Sequence, residues 1–232
     1  MKYFRYSCSC FVAGLRECSI NIGFVFSLFS ACLMISAVEI HAEDAGKLLN
    51  FEEKIATIEN VKALRQGGFV LYMRHGTTDT SIPDRVPHVD LNDCTTQRPL
   101  TEEGRQLAAS VGQEIRRHGI PVGDVLVSPM CRTRQTAEAA FGKDFVVNAG
   151  LMYTANLTSE EKVQRKEITH RLLSTPLSSG TNRVIVAHAP NMMDAAGYFP
   201  KPEGIVVIFR PMGEKGFEYI ASIPPARWQE LK

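Results

Sequence analysis

Arg74-His75-Gly76 closes the apolar run Phe69-Val70-Leu71-Tyr72-Met73, and the same two cationic residue types recur beside other apolar runs as Arg132 and His188. Two arginines and two histidines so placed suit phosphoryl transfer. A phosphate monoester carries about two negative charges at neutral pH, so a nucleophile reaches phosphorus only where those oxygens are neutralised. The planar guanidinium does this with two parallel hydrogen bonds and never deprotonates. An imidazole, with an unperturbed pKa of roughly 6.5, is largely neutral near pH 7 and has a lone pair for attack. Neighbouring arginines push that pKa lower. The second histidine could then donate to the transferring group, in a transition state governed by positioning and electrostatics.

The elements that must hold these residues alternate along the chain. Phe51, Ile55, Ile58, Val61 and Leu64 lie near helical spacing, which predicts a helix over Phe51 to Arg65 ended by Gly67-Gly68. A strand, Phe69 to Met73, leads into the Arg-His-Gly turn, and a polar loop rich in Pro and Asp runs from Thr77 to Arg98. Thr101 reads as the N-cap of a helix reaching about His118, stopped by Gly119-Ile120-Pro121. Val125 to Val127 is a short buried strand before Arg132 and a helix through Phe141. Val146-Val147 reads as a strand, Ser159 to Leu173 as a charged helix, and Val184 to Ala187 as a strand ending at His188. Strands at Val206 to Phe209 and Tyr219 to Ile223 complete the set.

This alternation predicts an α/β fold, a three-layer sandwich with a mostly parallel central sheet and helices on both faces. Ligands in such folds bind beyond the carboxyl ends of the strands. Arg74, His75, Arg132 and His188 all fall just after a strand, so one pocket can gather them.

The 232 residues, 44% hydrophobic, suffice for one domain with a full core. Residues 1–42 stand apart. Lys2, Arg5 and Arg16 precede the apolar stretch Ile20 to Val38, followed by Ile40-His41-Ala42 and Glu43-Asp44, the layout of a secretory signal cleaved after Ala42. This makes 1–42 a signal peptide and 43–232 the functional domain, placed in the periplasm or secreted. The alternatives are an uncleaved membrane anchor, weakened by Asn21 and several serines, and a lipoprotein box at Phe29-Ser30-Ala31-Cys32. A membrane partner enters only if the segment is retained or lipidated. Beyond residue 42 the chain holds 23 basic and 23 acidic side chains, with no basic stripe to bind nucleic acid.

Cys8, Cys10, Cys18 and Cys32 lie in the leader, leaving Cys94 and Cys131 in the domain, the second beside Arg132. In an oxidising compartment the two can form a disulfide that ties the loop after the first strand to the second arginine's turn. The alternative is two unpaired buried thiols. Cys and His spacings of the zinc-ligand type are absent from the sequence, so no metal is expected.

Taken together, Leu71-Tyr72-Met73-Arg74-His75-Gly76, Leu100-Thr101-Glu102-Glu103-Gly104-Arg105, Val127-Ser128-Pro129-Met130-Cys131-Arg132-Thr133-Arg134-Gln135-Thr136-Ala137 and Val184-Ile185-Val186-Ala187-His188 resemble, in order, the motifs of the histidine phosphatase superfamily, also called phosphoglycerate-mutase-like. The resemblance covers roughly residues 68 to 223. It implies that His75 is the nucleophile that becomes phosphohistidine, that Arg74 and Arg132 clamp the phosphate, and that His188 completes the pocket. It implies no metal or organic cofactor. Water would then hydrolyse the phosphoenzyme.

The general acid departs from the family pattern, because Ala189 follows His188 where many members have aspartate. Asp194, Glu203, Glu160 and Glu161 are the candidates, the last two equally readable as a solvated helix face. Gly76, Thr77 and Asn191 are candidate substrate-binding residues, as are Asp79 and Arg85, although loop polarity alone accounts for such residues. Without an acid at the leaving oxygen, good leaving groups such as phosphohistidine or acyl phosphates would be favoured.

Two function classes follow. One is an exported phosphomonoester hydrolase acting on small phosphomonoesters or phosphorylated envelope components such as outer-membrane sugars. The other is a binding module that keeps the phosphate clamp without turnover.

Overall fold

A computed structural model describes residues 51–87, 89–178 and 180–231. The leader, with its cleavage, anchor and lipidation alternatives, lies outside the described residues. Six strands form one sheet: β1 (Val70–Arg74), β2 (Val122–Val127), β3 (Val146–Val147), β4 (Asn182–Ala187), β5 (Val206–Pro211) and β6 (Phe217–Ile223). Their order is β3-β2-β4-β1-β5-β6. The first four in that order run parallel, while β5 is antiparallel to β1 and to β6.

Period-2 alternation divides the apolar residues of β1 between two cores. Leu71 and Met73 face a cluster with Val61 and Leu64 of α1 (Ile58–Leu64), Val111 and Ile115 of α2 (Glu102–Arg117), and Ala137 of α3 (Cys131–Phe141). Val70 and Tyr72 face the other, with Leu173 of α4 (Ser159–Ser174) and Met192 of α5 (Ala189–Ala196). Helices therefore cover both faces of a mostly parallel sheet, giving the expected three layers.

The first helix is shorter than its periodicity predicts. Phe51 to Thr57 is not helical, and Ile55 forms a parallel bridge to Ser222 of β6. The Ala56 N–H donates to the Ser222 carbonyl at 2.9 Å, and the Ser222 N–H donates to that of Lys54 at 2.7 Å. Ladder pairing along a sheet edge outweighs helix propensity here, and Asn60, accepting the Thr57 N–H at 2.8 Å, marks the true helix start. α5 follows His188 directly, with Pro190 in its first turn and Gly197 closing it in the left-handed region.

The Arg-His-Gly turn is pressed against α2. A Cβ on Gly76 would lie 2.4 Å from the Gly104 carbonyl oxygen, and one on Gly104 would lie 2.1 Å from that of Thr77. Two facing glycines permit this approach. Thr101 caps the helix by accepting the Gly104 N–H at 3.0 Å, and its own N–H donates to the Thr77 carbonyl at 3.0 Å.

Candidate active site

Adjacent parallel strands bring the two histidines together. The His75 N–H donates to the Ala187 carbonyl at 3.1 Å, extending the β1–β4 ladder one step beyond its end. The imidazoles of His75 and His188 consequently meet edge to face, with centroids 5.4 Å apart. Both are buried. Ser128, just past β2, donates its N–H to the Val186 carbonyl at 3.0 Å, bringing the third strand end into the same group.

Hydrogen bonds fix the proton on each ring. His75 Nδ1 lies 2.9 Å from the Gly76 carbonyl oxygen, which only accepts, so Nδ1 carries the hydrogen and Nε2 keeps its lone pair. On His188, Nε2 lies 2.8 Å from Ser128 Oγ. That oxygen accepts the Met130 N–H at 3.5 Å, and among the described residues its own hydrogen has no acceptor but Nε2, which places the His188 proton on Nδ1. Nδ1 is buried and unpartnered among the described residues. Burial first, and the Arg132 charge next, hold both histidines well below their ordinary pKa of 6.5. One neutral imidazole thus keeps a lone pair on Nε2 and the other an N–H on Nδ1.

Arg132, in the first turn of α3, is fully buried, and its Nη1 donates to Asp84 Oδ1 at 2.9 Å. Among the described residues its buried Nε and Nη2 have no partner, so one whole edge of the fork keeps its hydrogen bonds for an oxyanion. The Tyr153 ring covers the guanidinium at 4.8 Å and stands 5.0 Å from His188. Arg74 donates through Nη1 to the Pro200 carbonyl at 3.0 Å and through Nη2 to Glu203 Oε1 at 3.3 Å, with its buried Nε unpartnered among the described residues. Thr136 couples the two motifs: its hydroxyl donates to the Arg132 carbonyl at 2.7 Å and accepts the Gly76 N–H at 3.0 Å.

The remaining sequence candidates fall in different places. Gly76 gives its N–H to Thr136, so its part is the close approach to α2. Asn191 donates to the Leu151 and Met152 carbonyls at 3.4 and 2.8 Å. Its free atom is an acceptor, which a phosphate oxygen would repel. Thr77 lines a mainly apolar cavity of about 470 Å³ with Leu107, Pro202, Glu203, Pro224 and Pro225. Asp79 accepts from Ser81 at 2.9 and 2.6 Å, and Arg85 is exposed.

Among the candidate acids, Glu203 joins the site. Besides Arg74 it accepts the Thr78 hydroxyl at 2.9 Å and the Thr78 N–H at 3.1 Å, with Oε1 3.7 Å from His75 Nδ1. Glu161 instead accepts the Thr158 N–H and hydroxyl in a capping box, and Glu160 is exposed on the same helix turn. Asp194 is half-buried on α5 near Tyr72.

Cys94 and Cys131 are joined in a disulfide with Cα atoms 5.7 Å apart. Beside it, Gln97 Oε1 accepts the Cys131 N–H at 2.7 Å, fixing the start of α3. Asp84, Gln97, Arg98, Ser128, Thr136 and Tyr153 escape a residue-by-residue reading of roles. Asp84 is one of several acids in a polar loop, and Tyr153 has no motif around it. Gln97 and Arg98 at least adjoin the Leu-Thr-Glu-Glu-Gly segment. Among the described residues no three His, Cys, Asp or Glu side chains gather as a metal site.

Residues 70–170 match the family model described as the histidine phosphatase superfamily (branch 1). No curated protein matches the chain in sequence. Solved structures similar to it include the protein histidine phosphatase SixA complexed with tungstate, at 16% identity and a TM-score of 0.48, covering 68% of this chain and 98% of that one. Alpha-ribazole phosphatase from Shigella flexneri has 14% identity and a TM-score of 0.47, with 68% and 96% covered. Phosphoserine phosphatase from Entamoeba histolytica has 14% identity and a TM-score of 0.47, with 67% and 96% covered. The match over 70–170 takes in Arg74, His75 and Arg132, while β4 supplies His188 beyond it: this stretch of the chain matches the histidine phosphatase superfamily and carries the residue types of a histidine-type phosphatase site.

Proposed function

We propose that the chain hydrolyses phosphomonoesters in two steps through phosphohistidine at His75 Nε2. The observation that carries this reading is the His75 tautomer: Nδ1–H is held by the Gly76 carbonyl, so the lone pair lies on Nε2. Arg74 and Arg132 receive the phosphate oxygens on their unpartnered N–H groups, and His188 donates from Nδ1. Nε2 attacks phosphorus, the P–O bond to the leaving group breaks with its electron pair on the oxygen, and that oxyanion takes a proton from solvent water. Water then attacks the phosphohistidine, restoring His75 and releasing phosphate.

Glu203 sits at the Nδ1 edge of His75, opposite the attacking nitrogen. This placement suits it to stabilise the positive charge that the ring gains on phosphorylation. Protonation of the leaving oxygen by Glu203 would require it to reach the other side of the ring, and Asp194 lies on α5 near Tyr72. Substrates whose leaving groups need little help, such as phosphohistidine, acyl phosphates and aryl phosphates, are therefore favoured.

The natural setting we propose is the periplasm or the exterior. The leader-like composition of residues 1–42 and the Cys94–Cys131 disulfide support an oxidising compartment. Phosphorylated envelope sugars are accessible there, and their alkoxide leaving groups would make them the slower class unless bound water supplies the proton.

Hydrolysis of a series of aryl phosphates by the full chain and by its His75→Ala variant, with and without chelator, tests the reading. We expect turnover insensitive to chelator, lost in the variant, and steeply dependent on leaving-group pKa, together with an acid-labile phosphoenzyme. Unchanged turnover in His75→Ala would rule out the histidine mechanism. Phosphate binding without turnover of any ester would favour the binding module.

A further inference from the structure

Each clamp arginine already has a carboxylate: Asp84 for Arg132 at 2.9 Å and Glu203 for Arg74 at 3.3 Å. These four side chains sum to zero charge, and the two buried histidines are neutral. A phosphate monoester brings about 1.5 to 2 negative charges into this place, where uncompensated charge is strongly disfavoured. The quartet alone offers hydrogen bonds without net positive charge.

Arg98 is a further cation beside this group. Among the described residues it has no ion pair, and its Nε is buried without a partner. Its backbone, in contrast, is closely held. The Arg98 N–H donates at 2.8 Å to Asp84 Oδ1, the same oxygen that receives Arg132. The preceding Gln97 accepts from Cys131, and Cys94 is bonded to Cys131. The chain around Arg98 is thus fastened to the turn that presents Arg132, while the side chain itself is uncommitted. Its charge also acts on both histidines and both clamp arginines, lowering the pKa of each.

We propose that Arg98 is a third phosphate ligand, and that it supplies the net positive charge which the carboxylate-paired Arg74 and Arg132 lack. The inference rests on the phosphatase reading for the position of the phosphate, but not on turnover. Asp84 then has two tasks at one oxygen: it orients the Arg132 fork and sets the distance between that fork and Arg98.

Calorimetric titration of inorganic phosphate into the full chain and its Arg98→Ala and Arg98→Lys variants, with thermal melts in the absence of phosphate, tests this. We expect Arg98→Ala to weaken phosphate at least tenfold, to raise KM for an aryl phosphate in parallel, and to leave the unliganded melting temperature unchanged. Arg98→Lys should restore affinity to within a few-fold of the original. Phosphate affinity within twofold of the original in Arg98→Ala would overturn the proposal and leave the phosphatase reading standing. Failure of the unsubstituted chain to bind phosphate would overturn both. A loss in Arg98→Ala that lysine does not restore, accompanied by a lower melting temperature, would make the residue structural and also overturn the proposal.

Discussion

Asp84 Oδ1 accepts both the Arg132 guanidinium, at 2.9 Å, and the Arg98 backbone N–H, at 2.8 Å. A single carboxylate oxygen from the loop after β1 thereby joins the first turn of α3 to the segment that enters α2. Because Arg132 is fully buried and Asp84 nearly so, the pair is a structural element as well as an orienting one. Removing the acid leaves a buried cation without its partner.

Asp84→Ala should accordingly lower stability by about 3–5 kcal/mol and reduce kcat/KM, since Arg132 loses its fixed edge. Asp84→Asn retains an acceptor and should cost less. Urea denaturation of the two variants checks the order, and equal stability in both would contradict the argument.

Ser128 governs His188 through the 2.8 Å contact to Nε2. Ser128→Ala removes the group that selects the Nδ1–H tautomer, and kcat/KM should fall by about 10- to 100-fold, equivalent to about 1.4–2.7 kcal/mol. Steady-state kinetics with an aryl phosphate measure this. The His188 ring nitrogens, followed by nitrogen NMR, should show the tautomer mixing that a purely steric effect would not produce.

Stability should depend on pH through His75 and His188. Burial first and Arg132 next depress both pKa values below 6.5, so below that pH the unfolded chain binds more protons than the native one. Stability therefore rises with pH through the window from the depressed native values to about 6.5. It is lost as pH falls from 6.5, at up to about 1.4 kcal/mol per pH unit for each histidine. Denaturation of the chain and of His75→Gln across this window isolates one of the two contributions, and parallel curves would contradict the assignment.

The disulfide spans 37 residues of sequence, and chain entropy gives about 4 kcal/mol as the stabilisation from closing such a loop. Cys94→Ser with Cys131→Ser should lower stability by about 2–4 kcal/mol. Denaturation under non-reducing conditions measures the loss, and adding reductant to the unsubstituted chain should reproduce it.

The sequence by itself determined the layered α/β architecture, because continuous apolar strands such as Val184 to Ala187 must be covered on both faces. It also determined which chemistry to expect, because Arg74, His75, Arg132 and His188 each lie at or just after the end of a strand and parallel strands present those ends at one edge of the sheet. Periodicity misjudged Phe51 to Thr57, where pairing with β6 is a long-range matter that helical spacing cannot register. Only the tertiary structure decided the electrostatics. Whether an arginine is paired depends on acids such as Asp84 and Glu203, 48 and 129 residues away along the chain from their partners. Their loops look like any polar surface until the sheet order brings them to one edge. The proton positions on the histidines were likewise beyond the sequence, since a tautomer is set by the one acceptor or hydroxyl within hydrogen-bond reach of each ring nitrogen.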